Sequence, residues 1–116
     1  MSDDVELLTR VYALFNGRDM ESVLAAMHPD VVWANGMEGG YVHGRDEVRC
    51  YWKRQWAIID PHVEPLEISP NGNGKFIVKV HQVVRDTNGN LLADRVVIHV
   101  FQIQNGLIQR FDIEDV

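Results

Sequence analysis

The residues best equipped for chemistry are His81 in KFIVKVHQVVRD and Asp94 in LLADRVVIHVFQIQ, with Lys79 two positions before the histidine. An imidazole oriented by a carboxylate is a usable acid–base pair near neutral pH, because histidine changes charge there. The competing reading has His81 satisfying a polar position near the mouth of a barrel, with Lys79 reaching out to solvent along its own stem. A second group is aromatic. Tyr12, Trp33, Trp52 and Trp56, with Met37, have the makings of a wall for a flat apolar ligand, and a glycine-rich loop (Gly36, Gly39, Gly40) adjoins it. Helical spacing makes Trp52 and Trp56 equally suited to plain core packing. Glu38 in that loop reads as solvated or as a carboxylate at the pocket lip. His99 and Asp112 read as cross-strand partners, either a charge pair at a dimer contact or a surface pair worth little.

Other chemistries find no footing. His28, His43 and His62 have no ligand spacing, so no metal site is expected. Cys50 has no visible base to activate it. There is no phosphate loop or dinucleotide fingerprint, and no cofactor is expected. The net charge of −6 argues against nucleic acid, which demands a basic stripe. The densest basic stretch, RDEVRCYWKR, carries two acids and reads as the wet side of a helix. No apolar run approaches the ~20 residues of a membrane span. The N-terminal MSDDVELL lacks the basic start of a signal peptide, and a single cysteine suits a reducing compartment, so a cytoplasmic location is expected. At 116 residues, the chain reads as one domain over 1–116.

These side chains need elements to position them. Val5, Leu8, Tyr12 and Phe15 mark a first helix from Asp3/Asp4 to Asn16, stopped by Asn16-Gly17. Asp19 is placed to cap a short second helix through Met27. His28-Pro29-Asp30 breaks the chain, and VVWAN (Val31–Asn35) is a short strand. The loop Gly36–Gly44 leads to a third helix from Arg45 or Asp46 to about Ile59, stopped by Pro61. His62–Ser69 is a strand confined to an edge by Pro65. Three long strands follow, Lys75–Asp86, Leu91–Gln104 and Leu107–Asp115, turned at Thr87-Asn88-Gly89-Asn90 and Asn105-Gly106. Asn-Gly between apolar runs signals a hairpin, because both central residues of its turn need positive φ. The order α-α-β-α-β-β-β-β is an α+β plan, with helices against one curved antiparallel sheet.

Register then decides which residues share a face. With a two-residue turn at Asn105-Gly106, Gln104 opposes Leu107, Val100 opposes Phe111 and Ile98 opposes Ile113. Across the preceding hairpin, Val83 opposes Asp94, His81 opposes Val96 and Lys79 opposes Ile98. Period two puts Ile77, Lys79, His81, Val83, Asp94, Val96, Ile98, Val100, Phe111 and Ile113 on one face. Its apolar centre makes it the expected interior, with His81, Asp94 and Lys79 at the cavity and Val100 and Phe111 lining it. The other face, with His99, Arg110, Asp112 and Glu114, is the expected dimer surface.

The stretches YALFNGRDMESVLAAMHPDVVW, HGRDEVRCYW and VFQIQNGLIQRFDIED, in that order and spacing, resemble the nuclear-transport-factor-2-like superfamily. Within it, the chain is most similar to the SnoaL-like polyketide cyclase and ketosteroid isomerase group. The resemblance implies a cone-shaped α+β barrel, an apolar pocket between sheet and helices, and homodimers packed through the outer sheet face. It does not imply one reaction, since members include isomerases, cyclases, hydrolases and non-enzymatic binders. An isomerase-like member would carry a general-base aspartate where this chain has Asn35. Its oxyanion donors, a tyrosine on the first helix and an acid on the penultimate strand, match Val11 and Val100, with Tyr12 and His99 one residue away. An amide cannot abstract a proton, so that mechanism is expected to be absent, leaving Asn35 to orient a ligand carbonyl. The expected function is a small-molecule pocket for a cyclic apolar compound, with His81 and Asp94 for proton transfer. The alternative is a non-catalytic ligand-binding or dimerisation module on the same fold.

Overall fold

Turn chemistry and alternation build the C-terminal half as expected. The structure, a computed structural model, describes residues 2–115. Strands β4 (Lys75–Asp86), β5 (Leu91–Gln104) and β6 (Leu107–Asp115) form an antiparallel meander. Asn105 and Gly106 both take positive φ (54° and 76°), and Gln104 pairs with Leu107. At the other turn the Asp86 carboxylate accepts from the backbone N–H of Asn88 and of Asn90, each at 2.9 Å. Val83 faces Asp94, and His81 faces Val96, in the register the sequence predicts.

Upstream, α1 (Ser2–Asn16) and α2 (Met20–Ala25) lead into β1 (Met27–Ala34). Asp19 caps α2, accepting from Ser22 N–H and, at 2.8 Å, from the Ser22 hydroxyl. β1 begins at Met27, so His28-Pro29-Asp30 lies inside a strand. β2 (Tyr41–His43) occupies part of the expected loop and pairs with β1. Helix α3 (Gly44–Ile58) passes directly into β3 (Ile59–Pro70), which runs through Pro61 and Pro65. The sheet order is β2-β1-β6-β5-β4-β3, an open six-stranded sheet. β3 is an edge strand, where a proline removes no ladder bond that matters, and its register shifts beside Pro65. β1 runs parallel to β6, so the sheet is mixed and not purely antiparallel. No helix among the described residues is long and apolar enough to cross a membrane.

The interior is the face that was expected to lie outside on β4 and β5. Phe76, Val78, Val80, Val97, Phe101 and Ile103 are buried under the helices. The charged Lys79 and Asp94 turn the opposite face of these two strands to solvent, and β6 adds one extra residue. Ile103 pairs with Ile108 but Gln102 pairs with Arg110, so Gln109 bulges out of the ladder. A bulge switches the parity of everything beyond it. Ile108 and Phe111 therefore both point inward, and Phe111 faces Phe101 where it was expected opposite Val100. Ile113 faces His99, and Asp112 faces Val100 on the outside. Leu8 and Val11 of α1, Val23 and Leu24 of α2, and Val48 and Trp52 of α3 close the core over this inner face.

Candidate functional site

Between the inner sheet face and helices α1 and α3 the core leaves a cavity of about 80 Å³. Its wall is largely aromatic. Trp33 on β1 stacks on its cross-strand neighbour Phe111 with ring centroids 4.1 Å apart. Trp52 on α3 meets Trp33 edge-on at 5.5 Å, and Phe101 on β5 lies 5.0 Å from Phe111. Such aromatic pairs each add about 0.5–1.5 kcal/mol beyond area burial, so this wall is stiff. Ile113, 38 % exposed, stands at the mouth.

One polar pair is sunk in this wall. The Tyr12 hydroxyl on α1 and His99 Nδ1 on β5 share a hydrogen bond of 2.7 Å, and the two rings lie nearly parallel, 9° apart. Tyr12 is 4 % exposed and His99 6 %. Burial disfavours the charged form of each. It pulls the His99 pKa down to about 3 and pushes the Tyr12 phenol well above its ordinary value. Both are therefore neutral across the physiological range. Nε2 of His99 has no hydrogen-bond partner among the described residues. A neutral tyrosine and a neutral histidine hold two protons, and the shared bond uses one. Whichever tautomer is present, one donor and one acceptor remain for a ligand.

A second polar group comes from α3. The Tyr51 hydroxyl accepts from the Gly36 backbone N–H at 3.0 Å and from Gln55 Nε2 at 3.1 Å. Burial raises the Tyr51 pKa, so it too keeps its proton. Gln55 lines the cavity, and its Oε1 is buried without a hydrogen-bond partner among the described residues.

The predicted site residues divide between the two faces. Tyr12, Trp33, Trp52 and Phe111 converge on the cavity. Trp56 stacks behind Trp52 at 5.6 Å under the Arg18 guanidinium and is not among the residues that line the cavity. Asn35 is buried, but its amide organises the loop that follows: Oδ1 accepts from Met37 and Glu38 N–H, and Nδ2 donates to Glu38 Oε1. Glu38 also pairs with Arg54, so it is a surface brace for that loop. His81 and Asp94 do meet, Nε2 to Oδ1 at 2.7 Å, but on the outer face, with side chains 38 % and 53 % exposed. Lys79 and Val100 share that face. These four do not reach the cavity, because they stand on the face of β4 and β5 that carries the charges of Lys79 and Asp94 and turns to solvent. His99, expected at a dimer contact with Asp112, is instead inside, while Asp112 bonds Arg110 at 2.8 Å and Tyr41 at 2.5 Å outside.

Sequence reasoning missed His99, Tyr51 and Gln55 as cavity residues. The signal for His99 was its alternation with Val97, Phe101 and Ile103, the strand's bulkier set. Tyr51 and Gln55 stand one turn apart on α3, each beside a tryptophan, Trp52 and Trp56.

A family model described as the SnoaL-like domain matches residues 8–111. No curated protein sequence matches the chain. Among solved structures, an NTF2-like protein of unknown function from Burkholderia pseudomallei is 30 % identical, with a TM-score of 0.87 over 100 % of this chain and 92 % of that one. TerC co-crystallised with polyporic acid is 24 % identical, with a TM-score of 0.86 over 98 % and 92 %. An LEH-like epoxide hydrolase from M. tuberculosis is 16 % identical, with a TM-score of 0.84 over 100 % and 84 %.

Proposed function

This chain belongs to the SnoaL-like domain family, within the nuclear-transport-factor-2-like superfamily, and from that premise we propose that its cavity binds a small ring-bearing ketone and catalyses its enolisation without a cofactor. The observation that carries the reading is the buried Tyr12–His99 pair in an aromatic wall. The pair is a neutral relay. With Nδ1–H donating to the Tyr12 oxygen, the Tyr12 hydroxyl donates to the ligand carbonyl and bare Nε2 reaches the carbon beside it through one bridging water. The Cα–H bond breaks, its proton goes to the water, and the water passes a proton to Nε2. The electron pair forms the C=C bond, the carbonyl oxygen takes the Tyr12 proton, and Tyr12 takes the Nδ1 proton. Histidine ends as the other tautomer and no charge is created, which is what an apolar cavity demands. The role expected of His81 and Asp94 passes to this pair.

TerC, co-crystallised with polyporic acid, and the LEH-like epoxide hydrolase support a cavity that takes organic ligands on this fold. A second reading, binding without turnover, is favoured by one observation: no carboxylate lines the cavity among the described residues. Deuterium exchange at the methyl group of acetophenone in D₂O, followed by NMR, separates the two. Turnover predicts exchange above the buffer rate, lost in Tyr12→Phe and in His99→Leu. Binding with no acceleration refutes it and leaves the binding module.

The outer sheet face is our assignment for a homodimer. Ile77, Val83, Val96, Ile98 and Val100 stand half-buried there around the His81–Asp94 pair. The exposed thiol of Cys50 supports a reducing, cytoplasmic setting.

A further inference from the structure

We infer that Tyr51 and Gln55 form a second polar anchor in the cavity, specific for a hydroxyl group, so that its ligand is a hydroxylated ring-bearing ketone and not a simple one. This rests on the cavity being a ketone site, and it names which ketones that site prefers. Folded proteins leave few buried polar side-chain atoms unpaired, because an unmade bond costs the full desolvation of the group. Gln55 Oε1 is such an atom, and Gln55 is part of the cavity wall. Its amide is held by donating to the Tyr51 oxygen at 3.1 Å, and that oxygen also accepts the Gly36 N–H at 3.0 Å. The Tyr51 oxygen thus has its acceptor sites filled while its own O–H is undonated. An acceptor, Gln55 Oε1, and a donor, Tyr51 O–H, stand side by side.

A ligand hydroxyl is the one simple oxygen group that answers both: it donates to Gln55 Oε1 and accepts from Tyr51 O–H. An ether or a second carbonyl would leave Gln55 Oε1 without a donor. The Tyr12–His99 pair meets the ketone oxygen from α1 and β5, and the new anchor meets the hydroxyl from α3. The ring between them lies against Trp33 and Phe111. The anchor is also fixed from outside the cavity. Gly36 opens the loop that Asn35 and Glu38 hold, and a Cβ on Gly36 would lie 3.3 Å from Ile113 at the mouth. Loop and anchor therefore share one hydrogen bond.

The test is NMR titration of the full chain with acetophenone, 4-hydroxyacetophenone and 4-methoxyacetophenone. One added net hydrogen bond predicts that the 4-hydroxy compound binds about three- to tenfold tighter than acetophenone, and that the methoxy compound gains nothing. Gln55→Met should erase that preference, bringing the 4-hydroxy compound to the affinity of acetophenone for the same variant, and Gln55→Glu, which keeps an acceptor oxygen, should retain it. Equal binding of acetophenone and its 4-hydroxy derivative by the unaltered protein overturns the anchor alone. So does a preference for the methoxy ether, which would mean the amide presents Nε2–H. Survival of the hydroxyl preference in Gln55→Met overturns it as well. Binding of none of the three ketones sinks the ketone cavity and the anchor together. The comparison of the three ketones on the unaltered protein decides the matter even if Gln55→Met does not fold.

Discussion

Acidification should destabilise this protein through His99 before its carboxylates respond. The His99 pKa falls from 6.5 to about 3 on folding because burial strips water from the imidazolium. The unfolded chain therefore takes up the proton first as pH falls, and stability is complete above about pH 6.5 and is lost through the window down to about 3. The slope is about 1.4 kcal/mol per pH unit. At pH 5 the loss is roughly 2 kcal/mol, which for a domain of this size lowers Tm by roughly 8 °C. Glu21, Glu38 and Asp86, whose pKa values are lowered from 4.5, 4.5 and 3.8, begin to lose their contribution only as pH falls to about those values, below the pH 5 of the comparison. The assay is urea unfolding at pH 7.5 and pH 5, for the unaltered protein and for His99→Leu. The variant loses stability at both pH values, since Tyr12 is left without its partner, but its stability should barely change between them. An undiminished pH slope in His99→Leu refutes the assignment of that slope to His99.

Three further outcomes follow from the same geometry. In a double-mutant cycle, Tyr12→Phe and His99→Leu should each cost about 1–3 kcal/mol, while the pair together costs clearly less than the sum, as urea denaturation would show. Gly74→Ala should be among the most damaging single changes, by roughly 3 kcal/mol or more, because a Cβ there would lie 2.2 Å from the Ile103 carbonyl oxygen at φ +78°. Gly89→Ala, at φ +88° with open space around it, should cost only about 1–2 kcal/mol, so similar Tm losses for the two would contradict the close approach at Gly74. Val100→Asp should split the homodimer in light scattering while leaving ketone binding in the cavity intact; a monomeric unaltered protein would remove the dimer assignment.

The sequence was legible wherever a local rule decides the structure. Asn105-Gly106 fixed its turn, Asp19 its helix cap, and Pro65 its place on an edge strand. It was illegible where a single residue changes parity. Nothing in LIQRFDIED marks Gln109 as the bulge, yet which side chains of β6 share a face with those of β5 hangs on it. Two clues ran the other way: Lys79 and Asp94 are charged and sit on the face chosen as interior, while Phe76 and Phe101 sit on the face chosen as exterior. Charged side chains are the hardest to bury without partners, so they should have outweighed the run of valines and isoleucines, which suit a half-covered outer surface equally well. The His81–Asp94 contact itself was read correctly, because it depends only on the hairpin that the Asn-Gly turn sets.

The inward face of β5 bears on how the cavity would work. The resemblance to the isomerase-like group points to a tyrosine on the first helix and an acid on the penultimate strand, and one step from the matching positions stand Tyr12 and His99, both inward. Burial acts oppositely on the two kinds of group: it raises a carboxylic acid until it keeps its proton and lowers a histidine until it loses one. Either way the site gains an uncharged hydrogen-bond donor that remains neutral at pH 7. For His99 this state extends down to about pH 3, and Tyr12 is held protonated beyond its ordinary limit of 10. Catalysis by this pair should therefore give a flat profile. After subtraction of the buffer rate, acetophenone exchange should stay constant within about twofold from pH 5 to 9. A base that changes charge within that window would instead give a rate that rises with pH. A profile of that shape, abolished in His81→Ala and unchanged in His99→Leu, would return the chemistry to the outer face and refute the relay.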